Sequence, residues 1–585
     1  MNKASLKIKP FSEYENESNK EASIITSNGL LNQKLQGVHH NARLFSELTL
    51  DQRISLLEDI KKGFVDVAES MVQAECIVKG LQIGTPSESE AWALGPVFVV
   101  RHLRLLQESL QALKSTGNTN IGKVSLTIDH RLSVNVFPAS TIDGILYKDV
   151  TIDVHMLPNV TQNKLESDRA RFYKKPEHNG RVVLVLGAGN ISMIPIMDVL
   201  TKMFNEGKVC ILKMNPVNAY IGAFIEKAFS KAIADNFLAV VYGNIEESQY
   251  LIDHDLVDEI HITGSDKTYN AIVWGPEGKD RDERMVQKKP VLKKEITSEL
   301  GNVTPVIIVP GPYTDKELAF QAEDIASAFT LNASYNCCTP VSLVTAEGWQ
   351  QRSLFLKKLE QTLSDIPTRK AYYPGAKDRW DSLTKGHVDL AIMGKENDGH
   401  LPWALIKSLS PSSDEAIYKN EPFCSVLAET MINTKDTIEF LERAVDFVNN
   451  KLWGSLTANF IIHPASMKDP NIRKAIERAI TKLNYGVVTI NGFNGIEFIS
   501  GVAPWGAHPG SEKTNIQSGQ GWVHNTLMLE GIEKAVLRFP LVAFPKPPWH
   551  SSNRVAHKIM PKLMHLENNP SWTKLPGVIF TVMQG

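Results

Sequence analysis

Cysteine is scarce in this chain of 585 residues. Cys76, Cys210, Cys337, Cys338 and Cys424 are odd in number and have no CxxC spacing, so neither a disulfide framework nor a thiolate zinc site is expected. An excess of either charge is also missing. With 63 Lys and Arg against 65 Asp and Glu, the formal net charge is −2, which argues against nucleic acid or an anionic membrane as the main partner. Met1 to Asn19 is polar, carries both signs of charge and has no apolar core, so no cleavable signal peptide is expected and the reading is cytoplasmic. The nearest approach to a membrane-length apolar run, Val182 to Leu200, is interrupted by Gly187, Gly189, Asn190, Pro195 and Asp198. It reads as strand, turn and helix. His39-His40, His254, His261 and His508 lack ligand spacing, and no metal is expected.

What remains is an ordinary globular composition, 43% hydrophobic and 22% charged, able to bury large cores. The first 30 residues, rich in Ser, Asn, Glu and Lys, read as a flexible arm. Thr49-Leu50-Asp51-Gln52 is a capping-box pattern, and Ile54, Leu57, Ile60, Phe64 and Val67 follow at helical spacing. The alternating runs Val124 to Ile128 and Val150 to Val154 read as strands. From Arg181 onward, continuous apolar strands such as Val182 to Leu186, Val209 to Lys213 and Ala239 to Gly243 alternate with helical runs, the pattern of a helix-covered parallel sheet. A second α/β unit begins near Glu299, with Val306 to Val309 as its first strand.

Two short segments carry chemistry. Ser298-Glu299-Leu300-Gly301-Asn302 supplies a carboxylate, and Asn332-Ala333-Ser334-Tyr335-Asn336-Cys337 supplies a thiol. A thiolate that attacks a carbonyl carbon leaves a thioester, and a carboxylate that activates water clears it. Both lie downstream of Gly187-Ala188-Gly189-Asn190. An ordinary dinucleotide fingerprint would need glycine at Ser192 and an acid at Lys213, and it fails at both.

At these segments the chain resembles the aldehyde dehydrogenase superfamily. Glu299-Leu300-Gly301 with Thr304-Pro305 fits that family's Glu-Leu-Gly-Gly motif, with Asn302 in place of the second glycine. Asn332 and Cys337 fit its Gly-Gln-x-Cys region, with Ser334-Tyr335 in place of Gly-Gln. Asn190, Lys213, Thr263-Gly264-Ser265, Glu421-Pro422-Phe423, Asn449-Asn450, Trp453-Gly454 and Pro504-Trp505-Gly506 follow in the family's order, over roughly residues 37 to 540.

The resemblance implies an α/β fold of two Rossmann-type domains plus a β-flap for oligomerisation. The expected divisions are a flexible arm (1–30), a nucleotide-binding domain (31–298, flap about 124–160), a catalytic domain (299–495), a return and bridging strand (496–545) and a tail (546–585). It implies Cys337 as nucleophile, Glu299 as base and Asn190 as oxyanion donor, oxidising a small-molecule aldehyde to an acid. Lys213, Gly243, Thr263, Gly264, Ser265, Glu421 and Phe423 would hold NAD or NADP. Pro216 stands where NAD-preferring members often carry glutamate, so Lys213 without a nearby carboxylate is expected to tolerate NADP and to use it at least as well as NAD. Tyr269 replaces a second glycine after Gly264, and Cys424-Ser425 replaces Gly-Pro. Glu533 to Arg538 resembles the subunit-bridging strand, and a homodimer or homotetramer is expected. The tail reads as a surface strap held by Trp549 and Trp572. Alternatives are a coenzyme A-dependent acylating reductase, a catalytically silent scaffold and a cysteine hydrolase without nucleotide.

Overall fold

The computed structural model describes residues 25–175 and 178–585, so the expected arm falls almost wholly outside the described residues. Its last residues are already structured. A helix, Asn28–His40, buries Leu31, Leu35 and Val38, and Lys34 Nζ donates to the Val240 carbonyl at 2.9 Å. The helix expected after Thr49 runs Leu50–Lys79 with the capping box in place: Gln52 N donates to Thr49 Oγ1 at 3.3 Å and Thr49 N to Gln52 Oε1 at 2.9 Å. Leu57, Ile60, Phe64 and Val67 face its core side.

A six-stranded sheet has the spatial order Gly519–Gln520, Glu295–Leu300, Glu259–Gly264, Val182–Leu186, Val209–Lys213, Leu238–Val241. All neighbours are parallel except the short Gly519–Gln520 edge. The chain leaves Val182–Leu186 toward Val209–Lys213 on one side and later returns to Glu259–Gly264 on the other. Where strand order reverses, the two following connections diverge and open a crevice at the carboxyl ends of the strands. Leu186 and Gly264 mark that crevice.

The second sheet has eleven strands and runs from Val124–Leu126 through Leu132–Phe137, Thr151–Met156, Ile532–Arg538, Val487–Ile490, Thr457–Ile461, Thr304–Ile308, Pro340–Ala346, Val426–Ile432 and Trp403–Leu409 to Leu390–Met393. It corrects one expectation. The strand expected to bridge to a partner subunit, Ile532–Arg538, lies inside this sheet, antiparallel to Thr151–Met156 on one edge and parallel to Val487–Ile490 on the other. With both backbone edges paired within the chain, it offers no ladder to a second molecule. Lys534, fully buried on this strand, donates to the carbonyls of Ile480, Thr481 and Leu483 at the end of the Pro470–Lys482 helix, a capping role that ties the strand to its own chain.

The tail corrects another. It is a pair of helices, Ala556–Asn568 and Leu575–Val582, and Trp572 is 61% exposed and anchors nothing. The anchor is Glu567, whose carboxylate accepts from Arg101 Nη1 at 2.7 Å and Arg104 Nη2 at 2.6 Å, with Asp143 completing the buried cluster at 2.8 Å from Arg101. On the other side, Trp549 Nε1 donates to Asp324 Oδ1 at 2.8 Å and His550 Nε2 lies 3.1 Å from the same oxygen. The tail therefore bridges the N-terminal Pro96–Thr116 helix and the Asp315–Thr330 helix. Among the described residues no helix is long and apolar enough to cross a membrane.

Candidate active site

The Asp315–Thr330 helix stops at a tight loop in which Asn332, Ala333 and Ser334 have φ of 52°, 53° and 68°. Three consecutive non-glycine residues in the left-handed region are held there only by surrounding contacts. Those contacts are present. Asn332 Nδ2 donates to Asn190 O at 3.0 Å and Asn336 Oδ1 at 3.0 Å, while Asn332 Oδ1 accepts from Lys79 Nζ at 3.0 Å and the Tyr372 hydroxyl at 2.8 Å. Ser334 Oγ donates to Phe329 O at 2.7 Å and Asn336 Nδ2 to Leu331 O at 3.0 Å. The pinned loop presents Cys337, partly buried, to a cleft of about 1260 Å³ that opens along the sheet crevice.

Asn190, Lys213, Thr263, Gly264, Ser265, Glu299, Cys337, Glu421 and Phe423 all line this one cleft. Gly243 does not, although Asn244 and Ile245, which follow it, do. Asn190 uses one amide hydrogen to donate to Tyr335 O at 2.8 Å, leaving its second N–H for another acceptor. Thr263 Oγ1 donates to Asp198 at 2.8 Å, and Ser265 caps the Asp266–Trp274 helix by accepting from Thr268 N at 3.1 Å. Tyr269 turns into the core and is fully buried.

Glu299 is 3% exposed at the end of its strand, and Oε2 has no hydrogen-bond partner among the described residues. Burial, reinforced by the charge of Asp198, pushes its carboxyl up to about 7, while the neighbouring Cys337 thiol opposes the rise. Cys337 is itself held well above the ordinary thiol range by Cys338, burial and Glu299, so it rests protonated beside a carboxylate able to take its proton.

Glu421 accepts from Asn302 N at 3.1 Å and is pushed up to about 8 by burial. A Cβ on Gly301 would stand 2.2 Å from that carboxylate, so the glycine is required for the approach. Asn302, in place of the family's glycine, donates to Thr304 Oγ1 at 2.9 Å and Thr457 O at 2.8 Å and stitches the two sheets together. Tyr335, where the family has Gln, packs against Tyr372 at 4.9 Å and Phe423 at 5.6 Å between ring centres.

The cleft suits a nicotinamide dinucleotide. Lys213 is 6% exposed and lines the cleft, and among the described residues its ammonium has neither a hydrogen-bond nor an ion-pair partner. A Cβ on Gly189 would meet the Asn215 side chain at 2.7 Å, so the turn after the Val182–Leu186 strand is tight enough to require glycine there. The surroundings of Lys213 differ from expectation. Burial lowers it to about 8, but Glu247 raises it, so a carboxylate does stand nearby, contributed by the Ile245–Asp253 helix. No motif signals this, because Glu247 reaches Lys213 only across the sheet end.

Three further features escaped sequence reasoning. Lys79, 3% exposed, donates to Glu75 Oε1 at 2.6 Å, Asn190 O at 3.1 Å and Asn332 Oδ1, while Ser192 also bonds Glu75. The (i, i+4) spacing of Glu75 and Lys79 was visible, but not its burial. Glu497 is wholly buried with neither oxygen partnered among the described residues, and burial, then Cys338, holds its carboxyl protonated. Finally, a second cavity of about 100 Å³ lies beyond Cys337, which lines both spaces.

Comparison with known proteins places this geometry. A model described as "Aldehyde dehydrogenase family" matches residues 154–377, a span that includes Asn190, Lys213, Glu299 and Cys337. A 4,4'-diaponeurosporen-aldehyde dehydrogenase from Staphylococcus aureus is 23% identical over 372 residues, 60% of this chain and 71% of that protein. The crystal structure of an NAD-dependent aldehyde dehydrogenase from Sinorhizobium meliloti is similar at 16% identity with a TM-score of 0.58, covering 89% of this chain and 88% of that one. A mutant of aldehyde dehydrogenase C from Pseudomonas syringae, in complex with NAD+ and octanal, is similar at 14% identity with a TM-score of 0.59, covering 89% and 91%. The family model thus spans the nucleotide sheet and the candidate nucleophile, and over nearly nine-tenths of its length the chain has the fold of aldehyde dehydrogenase structures.

Proposed function

We propose that this protein oxidises an aldehyde to a carboxylic acid with NAD or NADP, through a thioester on Cys337. The observation that carries the reading is that Cys337, in the loop before the Pro340–Ala346 strand, and Glu299, in the Glu295–Leu300 strand of the other sheet, line one cleft close enough to perturb each other's protonation. Glu299 takes the thiol proton, and the thiolate attacks the aldehyde carbon. The free Asn190 N–H and the Cys337 backbone N–H are the candidates to hold the developing oxyanion. A nicotinamide dinucleotide bound in the cleft would supply hydride acceptance, with Lys213 and Glu421 on its ribose hydroxyls and Phe423 beside the ring. Once the thiol proton has passed from Glu299 to solvent, the carboxylate activates the water that releases the acid, a step for which a coenzyme A-dependent enzyme needs no base.

The test is a panel of aldehydes assayed with each nicotinamide by the absorbance of the reduced cofactor. Wild type and Cys338→Ser should turn over, and Cys337→Ser should not. Cofactor binding without reduction by wild type across the panel would instead identify a silent scaffold.

A further inference from the structure

The cavity of about 100 Å³ beyond Cys337 has a wall dominated by apolar side chains, among them Phe493, Phe498 and Trp505, and part of it is built by the C-terminal tail through Trp549, Met560 and Leu563. We propose that the tail is the specificity element of the active site: it closes the aldehyde pocket and restricts the enzyme to aldehydes with a short apolar chain. This rests on the aldehyde-oxidising reading above and goes beyond it in naming the substrate class and the residues that select it.

Three observations support it. Cys337 and Ile194 line both the nucleotide cleft and this cavity, so a carbonyl carbon at the thiol can face the cofactor while its chain enters the apolar space. The tail wall is also held in place. Trp549 Nε1 is tied to Asp324, and the helix carrying Met560 and Leu563 ends at Glu567, clamped by Arg101 and Arg104. A wall fixed from both ends discriminates by size, whereas a loose flap would adapt. Third, the size is restrictive: a dry apolar cavity of about 150 Å³ holds a benzene ring, so about 100 Å³ holds roughly four carbons. A hydroxylated or charged chain would lose its water to a wall with few partners for it, which disfavours sugar-like and acidic aldehydes.

The experiment measures kcat/KM for straight-chain aldehydes from propanal to decanal on wild type, Trp549→Ala, Leu563→Phe and the exposed control Trp572→Ala. The readout is the ratio of decanal to pentanal on each preparation. The fraction of folded enzyme cancels from that ratio, so partial misfolding of a variant cannot mimic the effect.

Wild type should peak near pentanal. Trp549→Ala should raise the ratio about tenfold or more, Leu563→Phe should lower it by a similar factor, and Trp572→Ala should leave it unchanged, since about one methylene of fit is worth tenfold or more in such a pocket. An active wild type whose ratio is the same in both Trp549→Ala and Leu563→Phe overturns the assignment of the tail while leaving aldehyde oxidation intact. A wild type that oxidises no aldehyde of any length overturns the aldehyde-oxidising reading itself.

Discussion

Glu299→Gln should make the protein more stable at alkaline pH while slowing it as an enzyme, and both effects follow from the same burial. The carboxyl is 3% exposed, one oxygen has no hydrogen-bond partner among the described residues, and its folded-state value is about 7 against the ordinary 4.5. A raised carboxyl value means the folded protein binds the proton more tightly than the unfolded chain does. Stability is therefore undiminished below 4.5, is lost as pH rises from 4.5 to about 7, and stays lost above. The difference between the two states corresponds to about 3–4 kcal/mol. Glutamine mimics the neutral carboxyl at every pH, so the variant should gain about that much over wild type at pH 8.5 and little near pH 5. Thermal melts of both proteins across pH 5–9 read the difference, expected as a rise of a few degrees that grows through neutrality. In parallel, steady turnover should fall about 10²-fold or more and the first burst of reduced cofactor should slow with it, because Glu299 serves both the thiol deprotonation and the thioester hydrolysis. A melt difference independent of pH would refute the buried, neutral carboxyl. Unchanged turnover would remove Glu299 from the mechanism.

The wild-type rate should fall about tenfold per pH unit below about 7, as Glu299 is protonated, and this limb should vanish in Glu299→Gln; a flat profile down to pH 5.5 would contradict the assignment. Lys213, lowered to about 8, loses its charge above that pH, so the KM for NADP should climb between pH 7.5 and 9 more steeply than that for NAD, and Glu247→Gln should favour NADP by removing a carboxylate that repels the 2′-phosphate. Equal pH responses for the two cofactors would place the adenosine ribose elsewhere. Lys79→Met leaves Glu75 buried without its cation and should cost about 3–5 kcal/mol, with stability but not full turnover recovered in Lys79→Met/Glu75→Gln. Full turnover in that double variant would show that Lys79 does not position Asn190 and Asn332. Because the Ile532–Arg538 strand is paired on both edges within its chain, a sizing column should show a species independent of any sheet-to-sheet bridge, and charge placed on the exposed flap residue Leu126 by Leu126→Lys should leave its elution unchanged. A shift to smaller size would locate an interface on the flap.

Local chemistry made much of this protein legible before any fold was known. The capping box at Thr49 and Gln52 specifies a helix start from hydrogen bonds three residues apart. The apolar run Val182–Leu186 specifies a covered parallel strand, and the order of Asn190, Glu299 and Cys337 carried the resemblance to the aldehyde dehydrogenases, because each depends on residue type and near neighbours along the chain. What depends on residues far apart was not legible. Ile532–Arg538 has the same sequence whether its second edge meets a partner subunit or its own Val487–Ile490, and only the path of the chain decides which. Glu247 acts on Lys213 through space, from the start of a helix that follows a different strand. Trp549, Met560 and Leu563 are as apolar as any surface strap, and became the wall of a cavity at Cys337 because Glu567 found two buried arginines more than 460 residues away. Burial, which moves Glu299 to about 7 and leaves Glu497 neutral beside Cys338, is a property of everything packed around a side chain, and so belongs to the tertiary structure alone.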